Sequence, residues 1–407
     1  MSSVNIITSR IIGAIHVFGH PSHLTVILQD FFNLHNRICS DRVHLAAAMD
    51  WLCKAQDITD CGGCSGEYSL YKGWGPPYPE TTGYIIPTFL QYAQLADDGN
   101  FIERAIMMGD WEIQIQLPSG AVRGGPGINK YPIVFNTGQV ILGWMALYEH
   151  TKQNKFMDAA LKAADWLISV QDHDGKWSMH AYHGIPHAYH SRVAWALLEV
   201  FKHTNDMKYR FASEKSVAWV LSLANENAWF HKATFDTKQE HPLTHTIAYT
   251  LRGLLESSLL LGGSIRQRAL SQVIKASENI MIKYELRKRN PRSMPLYLPA
   301  TLNDKWHSND TYSCLTGNVQ LAILWLKIFG INNDARLLNA ALKIIDQVKM
   351  TQKMDSRNPG IRGGIPGSYP LWGNYLRFSY PNWAAKFFAD AIMLQETVIQ
   401  ELKKEQT

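Results

Sequence analysis

The feature that constrains this chain most is a motif that returns at an almost constant interval. Asp-Trp, four further residues and Gln occupy 50–56, 110–116 and 165–171, and Trp219 begins a fourth, degenerate copy. Later helical patterns around Ile280 and Ile345 continue the series. Self-similarity at a fixed period is typical of proteins in which each repeat buries its apolar face against the next. The repeat therefore predicts one continuous array rather than several unrelated domains.

Each copy ends a helix that carries charge on one side, and a Gly-containing loop and a second, more apolar helix follow it. Amphipathic helices belong at a surface, whereas helices that are apolar nearly all round belong in the interior. We therefore predict an all-α fold, an (α/α)6 toroid of six helical hairpins at 41–407, with residues 1–40 as an N-terminal helical cap. The six inner helices are expected to begin near Thr81, Phe135, Ala188, Leu243, Asp310 and Asn382.

Composition excludes several classes of protein. Of 407 residues, 46% are apolar and 18% are charged, which suits a folded chain with a large core. Five cysteines are too few and too unevenly spaced for a secreted disulfide framework, so we expect a reducing, cytoplasmic location. No apolar run approaches the ~20 residues of a membrane span. We expect no nucleic-acid partner and no integral membrane segment, and the sequence leaves the oligomeric state open.

The six inner helices all follow their loops, so they should begin at the same face of the ring. Their N-terminal ends carry partial positive charge, and together they should favour anionic groups at one mouth. The loops that lead into this mouth are rich in Gly, Pro and aromatic residues, as in 68–80, 123–127 and 362–372. Aromatic side chains beside Arg, His, Asn and carboxylates predict a binding cleft at this rim.

The residue types at the rim fit a glycan that contains uronate. Beta-elimination or epimerisation at such a sugar needs a base for the C5 proton, groups that stabilise the developing charge, and an acid for the leaving oxygen. His187 or His190 is the candidate base, Arg192 or Arg123 the charge stabiliser, and Tyr312, Tyr369 or Tyr380 the acid. Asn136 and Glu80 complete the catalytic candidates. The predicted substrate-binding residues are Trp74, Tyr78, Arg123, Gln139, His245, Trp306, Asp310, Arg362, Tyr369, Trp372 and Asn382.

Other functions stay open at this point. Glycoside hydrolysis would need two carboxylates that flank one bond, and a terpenoid-cyclase-like enzyme or a non-catalytic glycan-binding scaffold would make different demands on the rim. The sequence does not reveal which two carboxylates face each other. The candidate carboxylates for hydrolysis are Glu67, Glu80, Asp236, Asp304 and Asp310.

Histidines and cysteines do not form a convincing metal motif. His180, His183, His187 and His190 cluster in sequence, but Gly184 and Pro186 interrupt any helical register between them, and no His-Glu-x-x-His occurs. The pair at 61 and 64 is a lone Cys-x-x-Cys, which favours a structural turn. We predict no metal and no cofactor.

Two resemblances add to this interpretation. The segment 162–177 resembles the QW repeat of the terpenoid-cyclase and prenyltransferase toroid superfamily, although the chain has no Asp-x-Asp-Asp acid motif. The segments 74–87 and 380–390 resemble the VpsJ-type toroid proteins of bacterial polysaccharide biosynthesis. The second resemblance implies an enzyme of bacterial polysaccharide metabolism with a glycan substrate, and it implies no catalytic assignment.

Overall fold

The computed structural model describes residues 17, 19–34, 38–127, 129, 131–288 and 297–405. Helix α1 (Pro21–Phe31) precedes six helical hairpins. The first helices of the hairpins are α2 (Asp41–Asp57), α4 (Asn100–Ile115), α6 (Asn154–Ser169), α8 (Met207–Ser222), α10 (Gly263–Lys288) and α12 (Ala335–Lys349). The second helices are α3 (Pro79–Ala96), α5 (Val134–Thr151), α7 (Ser191–Thr204), α9 (Thr244–Leu260), α11 (Leu315–Asn332) and α13 (Asn382–Glu405).

The second helices form a closed inner ring. Each packs against the next in chain order, and α13 packs against α3, which completes the circle. Helix α11 is buried on nearly every side, whereas α12 buries only one stripe, as expected for an inner and an outer helix. The (α/α)6 toroid is thus confirmed. Inner helices begin within a few residues of their predicted starts, and the largest difference is at α11, which begins at Leu315 rather than near Asp310.

The glutamine of the repeated motif joins neighbouring outer helices. In each of the three complete copies its Nε2 donates one hydrogen bond to a glycine carbonyl in its own loop and another to a carbonyl of the next outer helix. Gln352, just after α12, makes the same two bonds and joins the last outer helix to the first. The four sets are Gln56 with Gly62 and Arg104, Gln116 with Gly120 and Ala159, Gln171 with Gly175 and Ala212, and Gln352 with Gly363 and His44.

The glycines in these four bonds have positive φ angles between 84° and 95°. Non-glycine residues rarely adopt such angles, so glycine sets the turn that aims its carbonyl at the glutamine. At Gly120 and Gly175, a Cβ would also lie within 2.5 Å of a backbone oxygen of the neighbouring outer helix. The glutamine of the motif and its glycine partner therefore join one hairpin to the next.

Short antiparallel strands tie the rim loops together. Strand β1 (Glu67–Ser69) pairs with β2 (Gly73–Trp74) and with β5 (Ser379–Pro381), so the first loop is joined to the last. Strand β3 (Ser313–Cys314) pairs with β4 (Ser368–Tyr369). These ladders fix the loops that surround the mouth of the ring.

The N-terminal helix lies against this rim. The carboxylate of Asp30 in α1 accepts a hydrogen bond of 2.9 Å from the backbone N–H of Leu371. Of the predicted cap at 1–40, residues 1–16, 18 and 35–37 lie outside the described part of the chain, and the domain boundary at residue 40 stays a prediction. None of the helices in the described ranges is long and apolar enough to cross a lipid bilayer.

Candidate active site

A cavity of about 420 Å³ opens at the mouth of the ring, where the inner helices begin. Its walls are largely aromatic, and a few polar side chains project among the rings. The aromatic lining comprises Tyr78, Tyr84, Tyr131, Phe135, Tyr182, Tyr189, Phe235, Tyr249, Tyr375 and Trp383, and the polar side chains are Glu80, Asn136, His183, Asp236 and His245. This combination is typical of a ligand site, with apolar surface for contact and few polar groups for orientation.

Glu80 stands in the first turn of α3, directly after Pro79. Proline is favoured at this position because its missing N–H is not needed by the helix. The hydroxyl of Tyr78 donates a hydrogen bond of 2.7 Å to Oε2 of Glu80. Burial raises the pKa of Glu80 to about 7, and the hydrogen bond from Tyr78 and the positive charge of Arg192 limit the rise. A carboxyl group with this pKa exchanges a proton readily near neutral pH.

A second carboxylate, Asp236, lines the same cavity from the loop before α9. Its Oδ1 accepts hydrogen bonds from the backbone N–H groups of Lys238 and Gln239, at 2.6 and 3.2 Å. Bonds of this kind hold the carboxylate in one orientation. The cavity thus contains two carboxyl groups in different surroundings.

His245 and Tyr249 lie one turn apart on α9 and both face the cavity. Nδ1 of His245 accepts a hydrogen bond of 2.7 Å from the side-chain amide of Gln320, and the two rings of His245 and Tyr249 are 4.3 Å apart. Burial, with the charge of Arg192 as a second cause, lowers the pKa of His245 to about 3. The imidazole is therefore neutral at physiological pH and only weakly basic.

Two buried cations lie behind the cavity wall. The guanidinium of Arg192 stands 4.8 Å from the centre of the Tyr249 ring, and its Nε donates to Oε1 of Gln139 at 2.7 Å. Lys386 forms an ion pair with Asp390 and lies 5.6 Å from the centre of the Tyr84 ring. Burial lowers the pKa of both cations. Arg192 and Gln139 are thus beneath the cavity rather than on its surface.

Asn136 is also part of the cavity wall, but its amide is engaged. Nδ2 donates to the backbone carbonyl of Arg123 at 3.0 Å. Arg123 itself is fixed within its loop, since its guanidinium donates to the carbonyl oxygens of Ile115 and Asn129 at 2.6 and 2.9 Å. Arg123 therefore stabilises the loop and does not line the cavity.

The two candidate bases, His187 and His190, are fully buried and do not line the cavity. The ring nitrogens of His187 face the carbonyl oxygens of Tyr182 and Thr234, and those of His190 have no hydrogen-bond partner among the described residues. Burial lowers the pKa of His187 to about 4 and that of His190 well below its ordinary value. Neither ring can reach a sugar in the cavity, so we do not assign the base to either histidine.

The three candidate tyrosine acids are also placed away from the cavity. Tyr380 is buried in β5 opposite Tyr68, and the hydroxyl of Tyr369 donates to Asn33 at 3.2 Å. Tyr312 packs beside a small cluster that includes Tyr375 but is not itself in the cavity wall. Burial raises the pKa of Tyr312 to about 12 and raises that of the other two as well, so all three hydroxyls are poor acids at neutral pH.

The remaining predicted contacts form other parts of the rim. Trp74 packs on Trp51 at a ring distance of 5.1 Å, and Asn382 donates to Ser65 and Thr81. Trp306 and Asp310 line a separate cavity of about 470 Å³ beside α10. Arg362 is exposed and Trp372 is half-buried near α1. Among the other hydrolysis candidates, Glu67 lies in β1 and Asp304 is exposed.

Of the predicted residues, the structure therefore brings together Tyr78, Glu80, Asn136, Asp236 and His245. The sequence interpretation missed most of the aromatic wall. A signal was available for Tyr84 and Tyr249, because each stands four residues after a polar candidate, Glu80 or His245, and positions four apart share one face of a helix. For the loop residues Tyr182, Phe235 and Tyr375, no comparable spacing exists.

The cysteines give no sign of metal chemistry or cross-linking. None of the five forms a disulfide, and Cys61 is exposed whereas Cys64 is buried. In the part of the chain that the structure describes, no three His, Cys, Asp or Glu side chains converge on a possible metal position.

Residues 127–255 match the family model "Beta-L-arabinofuranosidase, GH127 catalytic domain", and no curated protein matches the chain. Solved structures with this fold include an unsaturated glucuronyl hydrolase specific for heparin (TM-score 0.67, 13% identity, 88% of this chain and 97% of that one). Similar likenesses are found with an unsaturated glucuronyl hydrolase from Bacillus sp. GL1 (0.64, 14%, 87% and 96%) and cellobiose 2-epimerase from Bacillus thermoamylovorans B4167 (0.62, 13%, 86% and 97%). At these identities the likeness establishes the α/α toroid. The terpenoid-cyclase and VpsJ-type resemblances remain unconfirmed.

Proposed function

We propose that this chain is a glycoside hydrolase of bacterial polysaccharide metabolism, with Glu80 as the proton donor and Asp236 as the second carboxylate. The observation that carries the proposal is the presence of these two carboxyl groups in the wall of one aromatic cavity. Most glycoside hydrolases use such a pair on either side of the bond that is broken. The match to a GH127 catalytic domain and the likeness to sugar hydrolases and an epimerase support a carbohydrate-active enzyme.

In this mechanism, protonated Glu80 gives its proton to the glycosidic oxygen as the bond to the anomeric carbon breaks. Its pKa of about 7 leaves a large protonated fraction at neutral pH. Asp236 then either takes a proton from the attacking water or attacks the anomeric carbon itself, depending on the distance between the carboxyl groups and the sugar. If Asp236 is the base, it passes the proton taken from the attacking water to solvent, and Glu80 is reprotonated from solvent. If Asp236 is the nucleophile, a water molecule cleaves the glycosyl–Asp236 ester while Glu80 takes a proton from that water, which restores both carboxyl groups.

Hydrolysis is better supported than elimination or epimerisation. Those reactions need a base that removes a proton from carbon, and the histidines predicted for that role are outside the cavity. His245 does line the cavity, but with a pKa of about 3 it binds a proton weakly. Tyr249 is close to it, and burial raises the pKa of its hydroxyl.

An acidic sugar is the substrate class that we propose first. Arg192 lies within electrostatic range of Glu80, His245 and Tyr249, all of which line the cavity. Its guanidinium donates to the neutral amide of Gln139 and forms no salt bridge within the described part of the chain, so Glu80 and Glu256 act on its charge only at longer range. A buried cation without a salt bridge beneath the cavity favours a carboxylate on the bound sugar.

The proposal is tested by incubating the purified protein with a panel of sugars: oligosaccharides ending in an unsaturated uronate, saturated uronate oligosaccharides, aryl β-L-arabinofuranosides and cellobiose. New reducing ends, ultraviolet absorbance and epimer composition are followed in the same samples. Hydrolysis predicts new reducing ends without a rise in unsaturated product. A rise in ultraviolet absorbance from a saturated uronate would establish elimination instead, and a changed epimer ratio with no bond cleavage would establish epimerisation. Binding without turnover of any sugar would support a non-catalytic scaffold.

A further inference from the structure

The ring of His187 lies between two loop segments, 180–184 and 234–239, that together carry four residues of the cavity wall. The first loop contributes Tyr182 and His183, and the second contributes Phe235 and Asp236. Nε2 of His187 is 2.8 Å from the carbonyl oxygen of Tyr182, and Nδ1 is 3.0 Å from the carbonyl oxygen of Thr234. The ring therefore contacts each loop at, or within two residues of, its cavity side chains.

Backbone hydrogen bonds from the N–H of Gly184 to Ala181 and from the N–H of Val134 to His180 hold part of the first loop, but its backbone is strained. His180 and His183 both have positive φ angles, 57° and 54°, which are uncommon and costly for residues other than glycine. The side chain of Tyr182 is 46% exposed at the outer edge of the cavity. A strained, exposed loop needs a contact from the folded body to keep it in one conformation.

Other contacts fix the ring of His187 in place. It is fully buried and stacks on Tyr189, with 4.5 Å between ring centres and 13° between ring planes. One backbone bond, from the N–H of Ala188 to the carbonyl of Lys232, already joins the chain segments on either side. A ring held in this way is a rigid spacer between the two loops.

We propose that His187 is a positioning residue that holds the Tyr182 loop and the Asp236 loop at a fixed separation across the mouth of the cavity. This inference rests on the proposed function in one respect, since Asp236 is the second carboxylate of that mechanism. Because His187 sets the position of the loop that carries Asp236, it determines where Asp236 lies relative to the sugar without contacting the sugar itself.

The protonation state of the ring determines how it holds the loops. Burial is the main reason that the pKa of His187 falls to about 4, and the nearby groups His183 and Lys232 lower it further. The ring is therefore neutral at pH 7 and has a single N–H, which can donate to one carbonyl at a time. His190, whose ring is 5.4 Å from that of His187, is also held neutral by burial.

Hydrogen exchange of the unliganded protein tests this role directly. The N–H of Gly184 bonds to Ala181 within the first loop, and the N–H of Phe235 bonds to the side chain of Gln239 within the second, so both amides report loop opening. His187→Leu fills the same space but has no donor. We expect it to speed exchange in both loops by about tenfold, the equivalent of one hydrogen bond. His187→Gln has two N–H donors and should restore exchange to within about threefold of the natural protein.

His190→Leu is the matched control, because it removes an equally buried histidine whose ring nitrogens have no hydrogen-bond partner in the part of the chain that the structure describes. It should leave exchange in both loops unchanged. In the hydrolysis assay, His187→Leu should lower kcat by about tenfold or more, through misplacement of Asp236, and His187→Gln should recover most of it. The exchange measurement needs no substrate, so it tests the role of His187 independently of the proposed hydrolysis.

Unchanged exchange in His187→Leu would overturn the inference. So would equal loop opening in His190→Leu, or a failure of His187→Gln to restore protection, because each would show that packing rather than the hydrogen-bonding ring holds the loops.

Discussion

The phenolic oxygen of Tyr78 lies 2.7 Å from Oε2 of Glu80 and donates a hydrogen bond to it. This bond stabilises the charged carboxylate, so it opposes the rise in pKa that burial causes. The two residues therefore set the pH at which Glu80 loses its proton. In a hydrolase that uses Glu80 as an acid, activity should decline as pH rises through about 7.

Tyr78→Phe removes the hydroxyl and keeps the ring. Without the hydrogen bond the pKa of Glu80 should rise further, so the alkaline decline of kcat/KM should move up by about one pH unit. The measurement is the pH dependence of kcat/KM between pH 5 and pH 9 for the natural protein and the variant. A decline that stays in place or moves to lower pH would contradict this role for Tyr78.

Asp236→Asn should lower kcat by about 10²- to 10⁴-fold, because the amide neither activates water nor attacks the anomeric carbon. Added azide should restore turnover, and the anomeric configuration of the glycosyl azide, followed by NMR, would reveal which face of the sugar Asp236 serves. Asp304→Asn, at an exposed carboxylate outside the cavity, is the control. Activity of Asp236→Asn within a few-fold of the control would remove Asp236 from the mechanism.

Gln171→Ala tests the docking role of the repeated motif. The substitution deletes the hydrogen bonds of 2.9 and 3.0 Å that Gln171 donates to the carbonyl oxygens of Gly175 and Ala212. Both carbonyl groups then lose their side-chain donor. We expect the free energy of unfolding to fall by about 1–3 kcal/mol, measured by urea denaturation. Gln114→Ala, an exposed glutamine on α4, should change stability by less than about 0.5 kcal/mol. Equal effects of the two substitutions would show that the motif glutamine has no special part in stability.

His190 should make the protein less stable in acid. Burial lowers its pKa in the folded state, so between the ordinary histidine pKa of 6.5 and the lower folded value, the unfolded chain binds more protons. Stability contributed by the neutral ring is thus present above pH 6.5 and is lost as pH falls below it. His190→Leu should therefore gain stability relative to the natural protein as pH falls from 7 to 4.5, measured by urea denaturation at each pH. A difference that does not change with pH would contradict the neutral, buried ring.

The fold could be predicted from the sequence because its signal is repeated. Each of the three complete copies of the motif ends an outer helix, and its glutamine makes the same pair of bonds each time, so the same sequence signal marks the same structural unit three times. Gln352 was harder to recognise, because its glycine partner, Gly363, is eleven residues away rather than four to six. Where the last outer helix meets the first, Gln352 makes the same two hydrogen bonds as the motif glutamines, but the sequence distance to its glycine partner is different.

The site could be predicted only where helix geometry determines it. Glu80, Asn136 and His245 stand in the first turns of inner helices, and the direction of those helices places them at the mouth. His187 and Tyr380 lie in loops or strands whose burial depends on contacts far away in the chain. Sequence spacing carries no information about such contacts, so residues of the right chemical type were assigned to a cavity that they do not line.

The most direct test of the central claim compares Glu80→Gln with Glu67→Gln in the hydrolysis assay. Burial raises the pKa of both glutamates, but Glu67 lies in β1 outside the cavity, so it controls for loss of a buried carboxyl group. We predict that Glu80→Gln lowers kcat by about 10²-fold or more with its fold intact by circular dichroism, whereas Glu67→Gln stays within a few-fold of the natural protein. Full activity of Glu80→Gln, or equal losses in both variants, would contradict the assignment of Glu80 as the proton donor.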